Sequence, residues 1–183
     1  MEKTAIVVVD IQNDFCAGGS LAVTGAEGVL IPANRVIEDA VKQGWDIYVS
    51  RDWHPAKTKH FDKWPVHCVQ GTPGAEFHPM LHLPTDYDKL HIVSKGLGDA
   101  DDYSAFDAGM RPDATKLIIF GLATDYCVLW TVKKARELGY EVVVLLDAIR
   151  GVELKHGDII AAISEMVAAG ATFAHSNMVC RGY

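Results

Sequence analysis

The sequence has no CxxC pair, no run of basic residues and no apolar stretch approaching the roughly 18 residues that span a bilayer. It also lacks a glycine-rich phosphate motif of either the GxGxxG or the GxxxxGK(S/T) kind. Each absence excludes a class. The four cysteines, Cys16, Cys68, Cys127 and Cys180, are far apart and irregularly spaced, which argues against a disulfide framework or a cysteine-built zinc site. A net charge of −7 without a basic cluster argues against a nucleic-acid partner or an anionic membrane surface. Met1, Glu2, Lys3 and Thr4 lead directly into a strand-like run with no secretory apolar region, so a cytoplasmic protein is expected. Nothing in the motifs calls for a nucleotide cofactor, and a small molecule is the expected partner. No repeat or low-complexity linker divides the chain. Its 183 residues, 49% hydrophobic and 22% charged, suffice for one domain, residues 1–183, with a sizeable core.

What is present reads as alternating strands and helices. The β-branched run Ala5 to Val9 has the pattern of a strand buried on both faces of a parallel sheet, and it ends in Asp10. Val29, Ala33, Val36, Ile37 and Ala40 or Val41 recur at helical spacing, with Pro32 near the start and Gly44 after the end. Trp45 to Ser50 is a second strand, Asp88 to Ser94 a less apolar third that stops at Lys95, and Leu117 to Phe120 a fourth. Glu141 to Asp147 and Ala171 to Ala174 are the fifth and sixth. A helix between them is expected to be capped by Asp158, with Ile159, Ile160, Ile163, Met166 and Val167 facing inward. The whole predicts an α/β fold of three layers around a six-stranded, mainly parallel sheet.

Two stretches carry candidate chemistry. After the fourth strand, Gly121 permits a sharp turn, Thr124 or Asp125 can cap a helix, and Cys127 falls in that helix's first turn. Unpaired backbone N–H groups and the positive end of the helix dipole would there favour a thiolate and hold an oxyanion, although a lone cysteine is more often structural. From Asp52 to His82 the chain is irregular and rich in histidine, proline and aromatics. Asp52 and His54 stand two apart, His60 follows, and His67 lies beyond Trp64 and Pro65, a set suited to Zn²⁺, Fe²⁺ or Mn²⁺, or else merely surface histidines. Asp10, Lys95 and Cys127 all fall at carboxyl ends of strands, where open α/β sheets bind ligands. An acid, a cation and a thiol in one cleft make an activated nucleophile.

Four motifs bring these groups together: Ile6 to Phe15, Arg51 to Pro55, Trp64 to Gly74, and Gly121 to Val128. In them the chain resembles the nicotinamidases of the isochorismatase-like hydrolase family, almost to its C-terminus. The resemblance implies that Asp10, Lys95 and Cys127 form the catalytic triad and that Asp52, His54 and His67 bind one divalent metal ion, with His60 as an additional ligand. It also implies that Phe15, Trp64 and Tyr103 enclose the pyridine ring, and that a cis peptide joins Leu122 to Ala123 so that the Ala123 N–H serves the oxyanion. The implied activity is hydrolysis of nicotinamide to nicotinate and ammonia in pyridine nucleotide salvage, with pyrazinamide as a further candidate substrate. A family amidase for another small amide or carbamoyl compound is the alternative, and a non-catalytic metal-binding or redox-sensing protein the rival from a different class. Two departures stand out. Cys16 replaces a proline common in the opening motif, and the span from Phe106 to Thr115 is too short and too poor in helix formers for the helix that relatives place there. The missing helix predicts an uncovered apolar face and hence a homo-oligomer with its interface beside that connection.

Overall fold

Unbroken runs of valine and isoleucine need cover on both sides, and they form the middle of a six-stranded sheet in a computed structural model that describes residues 2–180. Met1 and residues 181–183 of the expected domain lie outside the described range. The strands are β1 (Thr4–Val9), β2 (Asp46–Asp52), β3 (Leu90–Lys95), β4 (Lys116–Leu122), β5 (Glu141–Arg150) and β6 (Thr172–Ala174), in the order β3-β2-β1-β4-β5-β6. Every pairing between neighbours is parallel. Val7 to Val9, Leu117 to Phe120 and Val142 to Leu145 are all buried.

Helix α1 (Leu30–Gln43) turns Leu30, Ala33, Val36, Ile37 and Ala40 inward and leaves Val41 exposed. Gly44 ends it with φ 70°, a conformation that a glycine adopts without steric cost. Helix α2 (Leu129–Glu137) and helix α3 (Asp158–Ala168) pack together, while α1 packs against a short helix α4 (Ser176–Val179), completing the three layers. No local pattern marks α4, whose first residue is fixed by tertiary contact: the Asp147 carboxylate accepts from Ser176 N at 2.8 Å and Ser176 Oγ at 2.6 Å. Two expectations for α3 fail. Gly157 occupies the cap position, while the Asp158 carboxylate accepts from Lys155 N; and Ile160 and Val167 face solvent, whereas Met166 is buried as expected and Ala162 is buried beside it.

The chain crosses from β3 to β4 without a helix, as expected. The predicted uncovered face is absent, however. Ala105, Phe106 and Met110 of the connection are themselves buried, Phe106 lies 5.8 Å from the Tyr140 ring, and Tyr140 OH donates to Pro112 O. Burying side chains such as Phe106 and Met110 stabilises by about 1.5–3 kcal/mol each, enough to hold a loop where a helix would otherwise lie. The premise for self-association at this place is therefore not met. Among the described residues, no helix is long and apolar enough to cross a membrane.

The strand order positions the site. From β1 the chain moves to β2 on one side, whereas β4 flanks β1 on the other, so the order reverses between β1 and β4. At such a switch point the loops leaving the two strands diverge and open a crevice at their carboxyl ends.

Candidate active site

Asp10 follows β1 directly, with φ 48°, in the left-handed region that aspartate tolerates better than most residues. Its Oδ1 accepts from Ser50 Oγ in β2 at 2.7 Å, and its Oδ2 lies 2.8 Å from the Nζ of Lys95, the last residue of β3. Lys95 is buried, contrary to the usual fate of a strand-end lysine, and its Nζ also contacts Asp52 Oδ1 and Cys127 Sγ, the latter at 3.4 Å. Gly121 proves to lie within β4 rather than in the turn after it: with φ 127°, it lets the strand approach β1 so closely that an added Cβ would meet Val9 O at 2.1 Å. The Leu122–Ala123 peptide is cis.

Cys127 sits in a wide turn, Thr124–Val128, that closes with Val128 N donating to Ala123 O and continues into α2. Neither expected cap functions as one. Ala123 holds the cap position, and the Asp125 carboxylate instead binds Val152 N and Glu153 N at 2.9 and 2.8 Å, tying the turn to the end of β5. Burial pushes the Cys127 pKa well up; the Lys95 ammonium opposes this, but the Asp10 and Asp52 carboxylates add to the rise, so the thiol keeps its proton. Burial likewise raises Asp10, with Lys95 opposing and Asp52 reinforcing. Lys95 loses from burial but gains more from the two carboxylates, and its pKa is well above the ordinary value. Asp52 also pays for burial, yet Lys95, His54 and His67 hold it well below the usual range. The result is one ammonium between two acids, with a proton poised between Asp10 and Cys127.

Beyond Asp52 the four expected metal residues converge. His54, His60 and His67 each offer a ring nitrogen within 4.8 Å of the others, and Asp52 Oδ2 lies 3.6 Å from both His54 Nε2 and His67 Nε2. All three rings are fixed through Nδ1: to Gly96 O at 2.9 Å for His54, to Asp101 Oδ1 at 2.9 Å for His60, and to Pro65 O at 2.7 Å for His67. That leaves each Nε2 free, and the His54 Nε2 is buried with no hydrogen-bond partner. A buried orphaned nitrogen is costly unless something fills its lone pair, and a cation among three imidazoles and a carboxylate does so. Burial lowers the His60 pKa against the pull of Asp101, favouring the neutral ring that ligates metals. Gly96, with φ 69°, lets its carbonyl reach His54, since an added Cβ would lie 2.4 Å from that ring.

A narrow pocket joins the two halves. Phe15, Trp64, Tyr103, Ala123 and Cys127 line it with Asp52, His60 and His67, so every substrate-binding candidate meets there. Trp64 donates to Tyr103 OH at 3.1 Å and meets the Tyr126 ring edge-on at 4.8 Å. Leu21, Tyr126 and Val152 also line it without having been anticipated. Three supporting residues were likewise missed: Ser50, Asp101, and Gln12, whose amide donates to Asp52 O and Ala75 O and accepts from Asp52 N, each at 2.8 Å. Gln12 lies in the opening motif, but its partners lie 40 and 63 residues away in sequence. Of the remaining cysteines, Cys68 is held up by burial, and Cys16 is pushed up to about 11 by burial and the Glu27 carboxylate.

Residues 4–178 match the sequence profile of the isochorismatase domain. The chain belongs to the isochorismatase family. Within that family it is similar to the nicotinamidase of Escherichia coli (strain K12), 39% identical over 203 aligned positions that cover 94% of each protein. Among solved structures it is similar to the pyrazinamidase of Pyrococcus horikoshii in complex with zinc, with a TM-score of 0.82 and 34% identity over 94% of this chain and 99% of that one. It is also similar to PnC1 from L. infantum in complex with nicotinate, with a TM-score of 0.80 and 30% identity over 96% of this chain and 94% of that one.

Proposed function

We propose that this isochorismatase-family chain, residues 1–183 acting as one catalytic domain, hydrolyses nicotinamide to nicotinate and ammonia in the cytoplasm as a step of pyridine nucleotide salvage. One observation carries the reading: Asp10, Lys95 and Cys127 meet at the switch point, and Cys127 shares its pocket with Asp52, His60 and His67 of a buried three-histidine and aspartate set. The resemblances to nicotinamidases support the substrate, and the four free cysteines support a reducing compartment. Phe15, Trp64 and Tyr103 offer apolar and aromatic walls for a pyridine ring, with the carboxamide carbon directed to Cys127. Asp52, His54, His60 and His67 would hold a divalent ion, which when bound would supply Lewis acidity at that end of the pocket.

As the Cys127 sulfur attacks the carboxamide carbon, Asp10, whose proton affinity is raised, takes the thiol proton. The Ala123 and Cys127 N–H groups receive the charge that forms on the carboxamide oxygen. Collapse breaks the carbon–nitrogen bond, and Asp10 passes its proton to the departing amide so that ammonia leaves. A water then attacks the thioester while Asp10 accepts its proton. Cleavage of the carbon–sulfur bond releases nicotinate, and the proton returns to Cys127. Lys95 stays charged throughout, because Asp52 remains ionised beside it whichever of Asp10 and Cys127 carries the proton.

The test is ammonia and nicotinate measured together from nicotinamide with the purified, metal-replete protein. Equal steady release of both is expected. Release from a different carboxamide or carbamoyl compound alone would replace the substrate, and no release from any would favour the binding-protein alternative.

A further inference from the structure

Cys16, Glu27 and His78 come from three segments: the residue after the short turn Asn13–Phe15, the turn Ala26–Val29, and the stretch after Pro73–Ala75. The fold brings one donor atom from each within 4.8 Å of the others. We propose that these three side chains form a second divalent-metal site, separate from the histidine set, with zinc the best-suited ion.

The donor set is the first argument. A thiol, a carboxylate and an imidazole match the ligands of four-coordinate zinc, with water as the fourth, whereas hard ions such as magnesium avoid sulfur and imidazole. In the empty site the Cys16 thiol keeps its proton beside the Glu27 carboxylate, and a dication between the two makes the thiolate favourable. The geometry of Glu27 is the second. Its Oε1 accepts from Ala17 N at 2.6 Å, which fixes the carboxylate and leaves Oε2 for an ion, the pattern by which outer hydrogen bonds orient metal ligands. Met80 N lies 3.2 Å from His78 Nδ1, a long contact that is exchanged whichever ring nitrogen coordinates. On binding, Cys16 loses its proton to solvent as the sulfur–metal bond forms.

The location gives the site a consequence. Phe15, next to Cys16, and Leu21, in the same loop, line the catalytic pocket. An ion on Cys16 ties that loop to the two segments carrying Glu27 and His78, and so fixes one wall of the pocket from behind.

Zinc content per chain, measured after loading and dialysis, is expected to fall by one equivalent from wild type to Cys16→Ala and to His78→Ala. His54→Ala, which affects the other site, should leave the Cys16-dependent equivalent in place. Cobalt loaded into Cys127→Ala should show a near-ultraviolet thiolate-to-metal band that disappears in Cys127→Ala/Cys16→Ala. Equal zinc content in wild type and Cys16→Ala overturns the site. If Cys16→Ala does not fold, the cobalt spectrum of Cys127→Ala decides alone, and absence of the band overturns it. Neither measurement depends on turnover, so failure here is distinguishable from failure of the nicotinamidase reading.

Discussion

Replacing Lys95 with methionine removes the ammonium that touches Asp10, Asp52 and Cys127 while keeping nearly the same volume. The lysine is 1% exposed and touches both carboxylates and the thiol, so its loss leaves two buried acids facing each other without the ammonium between them. Breaking a buried pair by deleting one partner costs about 3–5 kcal/mol, and a chain of this size loses about 2–4 °C of Tm per kcal/mol, so a drop on the order of 6–20 °C is expected at neutral pH. The pH dependence carries the sharper test. In the wild type, Asp52 is depressed below its unfolded value, so its contribution is present above the unfolded carboxylate pKa and is lost as pH falls through the folded one. In Lys95→Met burial is opposed at Asp10 only by the Ser50 hydroxyl and at Asp52 only by His54 and His67, so both folded carboxylate pKa values rise. The folded variant then binds more protons than the folded wild type at a given pH, and its Tm deficit narrows as pH is lowered. Calorimetric Tm of both proteins between pH 4 and pH 8, with and without saturating zinc, measures this on scales of about one pH unit per 1.4 kcal/mol. A Tm deficit that stays constant or grows on acidification would refute the assignment of Lys95 as the counter-ion of both acids.

Ser50→Ala removes the hydroxyl that donates to Asp10 Oδ1, a bond to a charged group worth about 1.5–3 kcal/mol; kcat/KM should fall roughly tenfold or more, and its acid limb should move to higher pH because Asp10 becomes a still weaker acid. In the wild type that limb should already lie above the ordinary carboxylate range of about 4, since burial raises Asp10; a limb at or below that range in a kcat/KM profile would contradict Asp10 as the base. Asp101→Asn replaces the carboxylate that fixes His60, and competition titration should show metal affinity reduced by about 10–100-fold. Chelation of the metal should lower kcat/KM and Tm while far-UV circular dichroism is retained, because a core of this size folds without an ion; unchanged kinetics in verified metal-free protein would refute the role of the histidine set.

Much of this was legible because it rests on local signals. Continuous valine runs identify strands buried on both faces, Gly44 marks the end of α1, and the carboxyl ends of β1, β3 and β4 name Asp10, Lys95 and the turn to Cys127. Other features are decided by contacts far apart in sequence. Ser50 is one more polar residue in a strand until β1 and β2 pair, and Asp101 is one acid in an acidic loop until the loop meets His60. Asp125 has the residue type of a cap, but the N–H groups of Val152 and Glu153 compete successfully for its carboxylate. Periodicity also overreaches in α3, where Ile160 extends the apolar stripe beyond the arc that the neighbouring elements cover. The gap between Phe106 and Thr115 shows the converse: the helix is missing as the residues suggest, yet Phe106 and Met110 fold inward to fill its place. The resting charge of Cys127 required the depth of the site, since burial and two carboxylates outweigh the one lysine beside it.

Covalent turnover through Cys127 is the centre of the account, and steady-state ammonia release from nicotinamide by Cys127→Ala, with metal content and fold matched to wild type, tests it most directly. The expected rate is no more than about a thousandth of wild type, the residue left by binding and the oxyanion site once the nucleophile is gone. A Cys127→Ala protein that turns over nicotinamide at a larger fraction than that would contradict it.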